Sequence, residues 1–176
     1  MLYRANFNLR AYEEGDEKQI LPLLDLVFGE WPKFDLECTV KEHWSWKLID
    51  TPTKLNPIVV AELEDGKIVG VTHGIIKRTK IGEEIVLIRK GTEVAVHPQY
   101  RRMGVYKGLV DYREKISTEL GAVMSYSLTG NSIVINYKKD GDEEGREPEF
   151  PQPIKQLVRI NDLSKFIKHL RRRREI

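Results

Sequence analysis

The sequence predicts a mixed α/β fold: a twisted, mostly antiparallel sheet with one parallel pair and helices on both faces. Three observations carry this. Between Pro57 and Val96, β-branched runs alternate with short polar turns, the pattern of an antiparallel meander. From Thr92 to Glu119 a strand passes through a tight basic turn into an amphipathic helix. Ala122 to Leu128 is the next strand, and a helical crossover must bring it back parallel to the strand ending at Val96.

In chain order, Asn6 to Ala11 alternates with Phe7 and Leu9 on one face and reads as a first strand. Asp16 is a candidate N-cap for a helix over Glu17 to Phe28, whose stripe is Ile20, Leu21, Leu24, Val27 and Phe28. Pro22 should kink this helix or delay its regular part, and Gly29 ends it. A second helix covers Val40 to Ile49. Trp44 and Trp46 cannot share one of its faces, so at least one tryptophan is expected to be partly exposed.

Pro57 to Leu63 is a strand, and Glu64-Asp65-Gly66-Lys67 is a hairpin turn. Ile68 to Lys77 follows, with Gly70 and Gly74 marking a bulge or close packing. After a turn at Lys80 to Glu83, Ile85 to Val96 is a long strand in which Gly91 marks a bulge. The next helix shows Val105, Leu109, Tyr112 and Ile116 on one face and closes at Leu120-Gly121. Near the end, Ile154 to Ile160 reads as a strand. Asn161 caps a last helix that ends in Arg171 to Arg174.

The turn between strand and helix is Gln99-Tyr100-Arg101-Arg102-Met103-Gly104. Gly104 lets the backbone turn, the first helical N–H groups carry partial positive charge, and two arginines stand beside them. That combination holds a phosphate or pyrophosphate. A solvated surface loop is the plainer reading of the same residues. Val94-x-Val96-x-Pro98-x-x-Arg101-x-x-Gly104 resembles the acetyl-CoA signature of the GNAT superfamily of N-acetyltransferases. The segment Asn131 to Gly141, with Tyr137 in it, resembles that family's Asn-x-x-x-x-x-Tyr-x-Lys-x-Gly.

The resemblance implies acetyl-CoA as co-substrate, bound in the opening between two splayed parallel strands. It implies that Val94, Ala95 and Val96 lie along the pantetheine. Arg101, Arg102, Met103, Gly104, Val105 and Tyr106 would form the pyrophosphate turn, with Asn131 facing the pantetheine. It makes Tyr137 the proton donor to the departing thiolate, which suits a phenol. The sequence departs from the pattern at Tyr106, and again at Asp140-Gly141-Asp142, which opens an acidic run to Glu149. A base must deprotonate the acceptor amine. Glu93 and His97 are the nearest candidates, and the sequence does not show where either side chain points.

With 176 residues, 40% apolar and 32% charged, the chain is expected to form one globular domain over residues 1–176, with a core from 7 to 160. A net charge of +2 offers no field for nucleic acid or membrane, and no apolar run is long enough to span a bilayer. The start has no signal-peptide character. Cys38 is alone and reads as a small, at least half-buried apolar residue, so a reducing cytoplasm is expected. The four histidines have no metal-ligand spacing. The expected activity is acetyl transfer to a small-molecule or peptide amine, and the resemblance makes a homodimer one expected assembly. A non-catalytic acyl-CoA-binding or interaction module is the alternative.

Overall fold

The β-branched runs between Pro57 and Val96 form the predicted meander in a computed structural model that describes residues 6–32 and 37–128. The strands are β1 (Phe7–Ala11), β2 (Ile58–Leu63), β3 (Ile68–Ile81), β4 (Glu84–Val96) and β5 (Ala122–Ser127). The helices are α1 (Glu17–Phe28), α2 (Val40–Leu48) and α3 (Val105–Glu119). The sheet order is β1-β2-β3-β4-β5; the first three pairings are antiparallel and β4–β5 is parallel. The strand and helix expected at Ile154 to Ile160 and after Asn161 lie outside the described residues, as do Asn131 and Tyr137.

Alternation along the strands feeds two cores. Val60, Val71 and Ala95 face α1 and α2, where they meet Ile20, Leu24, Trp44 and Leu48. Val59, Ala61 and Val96 face α3, where they meet Val105 and Leu109. Burying each such leucine or isoleucine contributes about 2 kcal/mol. The α3 face depends on Gly70, because a Cβ there would stand 2.9 Å from side-chain carbons of both Val105 and Leu109. Any larger residue would push α3 off the sheet and tilt the turn that precedes it.

Three expectations need correction. Asp16 stands at the N-cap of α1 but makes no cap. Its carboxylate accepts from Arg10 Nη1 at 2.7 Å and from the Glu13 N–H at 2.9 Å, an ion pair winning over a helix amide. Pro22 does not delay α1, which is helical from Glu17 to Phe28. Cys38 is exposed, because it sits in the bend before α2 rather than on a core face. α2 begins with a capping box that the sequence reading passed over, although Thr39-x-x-Glu42 spells it: Thr39 Oγ1 accepts from the Glu42 N–H while Glu42 accepts from the Thr39 N–H. Trp44 is buried and Trp46 is 68% exposed, as their spacing requires.

Candidate active site

The site is built around a bulge in β4. Gly74 pairs with Gly91 and Thr72 with Val94, so His73 alone opposes both Thr92 and Glu93. The extra residue changes the phase of the strand. Gly91 lies on the α3 face beside Arg113, whereas Glu93 reaches Lys47 of α2 on the other face.

The bulge also ends the sheet on one side. β5 pairs with β4 only from Leu87 to Gly91. Beyond it, Val94 to Val96 have β3 on one edge and no described strand on the other. The His97 N–H bonds to the Val69 carbonyl at 2.9 Å, which sets the ladder's phase. Backbone groups of His97 and Ala95 therefore face β3, and those of Val94 and Val96 face the open edge. Arg101 Nε donates to the Val96 carbonyl there at 3.3 Å, bending the turn back toward the edge.

The turn itself is strained. Pro98 to Tyr100 is one 3-10 turn, Arg102 has φ 63° and Gly104, at the N-cap of α3, has φ 84°. A left-handed arginine is uncommon and costs on the order of 1 kcal/mol. A Cβ built on Gly104 meets nothing within 4 Å, so the space before the helix is open. Open space, helix-opening amides and two exposed arginines suit a pyrophosphate.

On the α2 face Glu93 joins two cationic or polar partners. Lys47 Nζ bonds to Glu93 Oε1, and His73 Nδ1 lies 3.4 Å from Oε2. Trp44 Nε1 donates to His73 Nε2 at 3.5 Å, so Nδ1 carries the imidazole proton and donates to Glu93. Burial lowers the pKa of fully enclosed His73, which is neutral at pH 7. Burial also acts to raise the Glu93 carboxyl, but the His73 N–H and the Lys47 ammonium outweigh it and hold Glu93 well below the carboxylate range. The Lys47 ammonium lies over the Trp31 ring, 5.6 Å from its centroid, and Trp31, His43 and Trp46 succeed one another at 5.8 and 5.9 Å.

A sequence profile of the GNAT acetyltransferase domain matches residues 8–138. The chain belongs to the GNAT acetyltransferase family. No curated protein sequence matches it. Among solved structures, a Trypanosoma brucei acetyltransferase is similar at TM-score 0.62 and 22% identity, covering 89% of this chain and 99% of its own. A glucosamine-6-phosphate N-acetyltransferase from Arabidopsis thaliana gives TM-score 0.62 and 16% identity, with coverage of 89% and 99%. An aminoglycoside acetyltransferase from an uncultured soil metagenomic sample gives TM-score 0.67 and 19% identity, with coverage of 88% and 97%. At these identities the likeness is one of fold.

In this GNAT domain the expected cofactor residues fall into two groups. Val94 and Val96 line the open edge with their backbones, Arg101 to Gly104 form the turn at its end, and Val105 and Tyr106 open α3. Ala95 turns its backbone to β3 and its methyl group into the α1/α2 core. Of the two candidate bases, Glu93 stands at the bulge. His97 accepts the Gln99 N–H at 3.4 Å and stacks on Tyr100, away from it. Lys47, His73 and Trp44 were not read as site residues, because only the β3–β4 register and the docking of α2 bring them to Glu93.

A second charged cluster lies on the α3 face. Arg89 and Arg113, 1% and 5% exposed, share the single carboxylate of Glu114. Arg113 Nη1 also donates to Thr72 Oγ1 at 2.6 Å, which ties α3 to β3 beside the bulge. Arg89 Nε and Nη1 and Arg113 Nε have no hydrogen-bond partner among the described residues. Burial lowers the Arg113 pKa and the neighbouring Arg89 charge adds to it.

Proposed function

We propose that this chain transfers the acetyl group of acetyl-CoA to a primary amine by direct attack, as one domain of residues 1–176 working in the cytoplasm. The observation that carries the reading is the open β4 edge, Val94 to Val96, leading straight into the turn at Gly104. The bound co-substrate supplies an activated acyl carbon as a thioester. Val94 and Val96 offer backbone groups to an extended pantetheine, and their N–H groups polarise the carbonyl. Arg101 to Tyr106 hold the pyrophosphate, Asn131 faces the pantetheine, and Tyr137 gives its proton to the leaving thiolate.

Glu93 is the base, directly or through water. Its ion pair with Lys47 makes it a weak one, so the acceptor's ammonium must displace Lys47 before the proton moves. Most of the rate then comes from holding amine and thioester together. One neighbour in fold is named as an N-acetyltransferase of glucosamine-6-phosphate, which supports nitrogen as the acceptor atom. The acceptor is a small molecule or a peptide, without nucleic acid or membrane, and a homodimer fits the family.

Calorimetric titration with acetyl-CoA, with Gly104→Glu as control, tests the cofactor site. A panel of amines then tests transfer. Micromolar binding lost in the control, with turnover of at least one amine, supports the reading; a folded protein that binds no acetyl-CoA overturns it. The weak basicity of Glu93 favours a second reading, a non-catalytic acyl-CoA-binding module. Binding without turnover of any amine is what that reading expects.

A further inference from the structure

The Lys47 ammonium lies against the carboxylate proposed as the base. Its Nζ is bonded to Glu93 Oε1, the proposed base, and it lies 5.6 Å from the centre of the Trp31 ring. A carboxylate on one side and an aromatic face on the other is how an alkylammonium is held. Glu93 is the bulge residue directly before Val94, whose backbone faces the open edge. The Lys47 side chain is 21% exposed, against 65% for Lys41 and 69% for Lys107. Lys47 is thus an amine largely shielded from water at the proposed base, whereas those two lysines, each in an ion pair of its own, are mostly exposed.

We propose that Lys47 is itself an acceptor: the chain acetylates its own Lys47 Nζ when acetyl-CoA is present. The inference rests on the proposed cofactor site. A new N–C bond forms between Nζ and the thioester carbon, and the C–S bond breaks with its electron pair going to sulfur. The ammonium loses two protons. One passes through Glu93 to solvent and the other ends on the thiolate, so acetyl-CoA and lysine become CoA thiol and an acetylated lysine.

The product changes the site. An amide carries no charge and cannot hold Glu93 as an ion pair. Glu93 then has hydrogen-bond donors but no ammonium beside it, and becomes a stronger base for the next amine. Acetylation of Lys47 primes the enzyme and clears the ammonium-binding place at once.

The test is to incubate the full chain with acetyl-CoA and no added amine, then read intact mass and map the peptides. The expected result is a single acetyl group at Lys47, gained at a rate that does not change when the protein is diluted. Lys47→Arg abolishes it, and Glu93→Gln slows it by about 100-fold. Carbon NMR provides a second readout: the Glu93 carboxyl titrates at higher pH after labelling. Acetyl groups spread over exposed lysines such as Lys41 and Lys107, or a rate that rises with protein concentration, overturn the proposal. So does an unlabelled Lys47 in a protein that binds acetyl-CoA by calorimetry, and that outcome leaves the cofactor reading standing. Absence of acetyl-CoA binding overturns both.

Discussion

His73 donates its Nδ1–H toward Glu93 Oε2 at 3.4 Å across a bulge that sets it opposite two residues of β4. Trp44 fixes the tautomer from behind, through its own N–H to Nε2. A buried neutral imidazole therefore aims the carboxylate without adding a charge to it. Lys47 adds an ammonium on the other carboxylate oxygen, so the strength of Glu93 depends on both His73 and Lys47.

Glu93→Gln should lower kcat by about 100-fold while leaving acetyl-CoA affinity unchanged. Lys47→Met acts in the other direction on basicity. Without the ammonium, the Glu93 pKa rises, so the acid limb of the kcat/KM profile moves to higher pH. Steady-state kinetics across pH checks both; an unmoved limb would remove Glu93 from the role of base.

Gly104→Glu should abolish acetyl-CoA binding. It places a carboxylate in the proposed pyrophosphate site and a side chain at φ 84°. Calorimetry reads the loss, and unchanged far-UV circular dichroism shows the fold intact.

Tyr137→Phe removes one hydroxyl and is expected to keep acetyl-CoA affinity while slowing transfer by about 100-fold. Comparing calorimetry with single-turnover rates separates the two. Equal rates would take the thiolate donor away from Tyr137.

Stability should fall in two steps as pH drops. His73 has its folded pKa lowered by burial, so the unfolded chain binds the imidazole proton first, and stability declines as pH falls below about 6.5. Glu17 is held at about 2 by the hydrogen bond from Lys41, with further N–H and Tyr12 hydroxyl donors, against an ordinary value of 4.5. Its contribution is whole above that ordinary value and is lost as pH falls toward 2. Urea midpoints at neutral, mildly acidic and strongly acidic pH measure both steps.

Glu114→Gln should destabilise the fold by about 2 kcal/mol, a figure reduced because the carboxylate is 39% exposed. It leaves Arg89 and Arg113 as two buried like charges, with Arg89 Nε and Nη1 and Arg113 Nε finding no hydrogen-bond partner among the described residues. Adding Arg89→Met to that variant should recover part of the loss, since one charge and its unmet donors are gone. Thermal unfolding of the parent, both single variants and the double variant gives the coupling.

The fold was legible because it rests on local signals. The Asp65-Gly66 turn, the β-branched runs and the stripe of α3 each announce an element over a few neighbouring residues, and Gly91 marked the bulge. The turn from Arg101 to Gly104 was legible for the same reason. Thr39-x-x-Glu42 was equally local and was simply passed over.

What the sequence determined alone was the order of the described elements, the parallel return of β5 and the glycine turn before α3. Each follows from periodicity, from backbone freedom or from the handedness of a crossover. The direction of Glu93 was decided only in three dimensions. One extra residue in β4 reverses which face a side chain takes, and no alternation count can reveal where that residue is absorbed. Lys47, His73 and Trp44 come from α2 and β3, and they meet Glu93 only because α2 docks on one face of the sheet. The Arg89–Arg113 pair likewise exists only because α3 lies across β4, which brings two like charges together in a place where water no longer separates them.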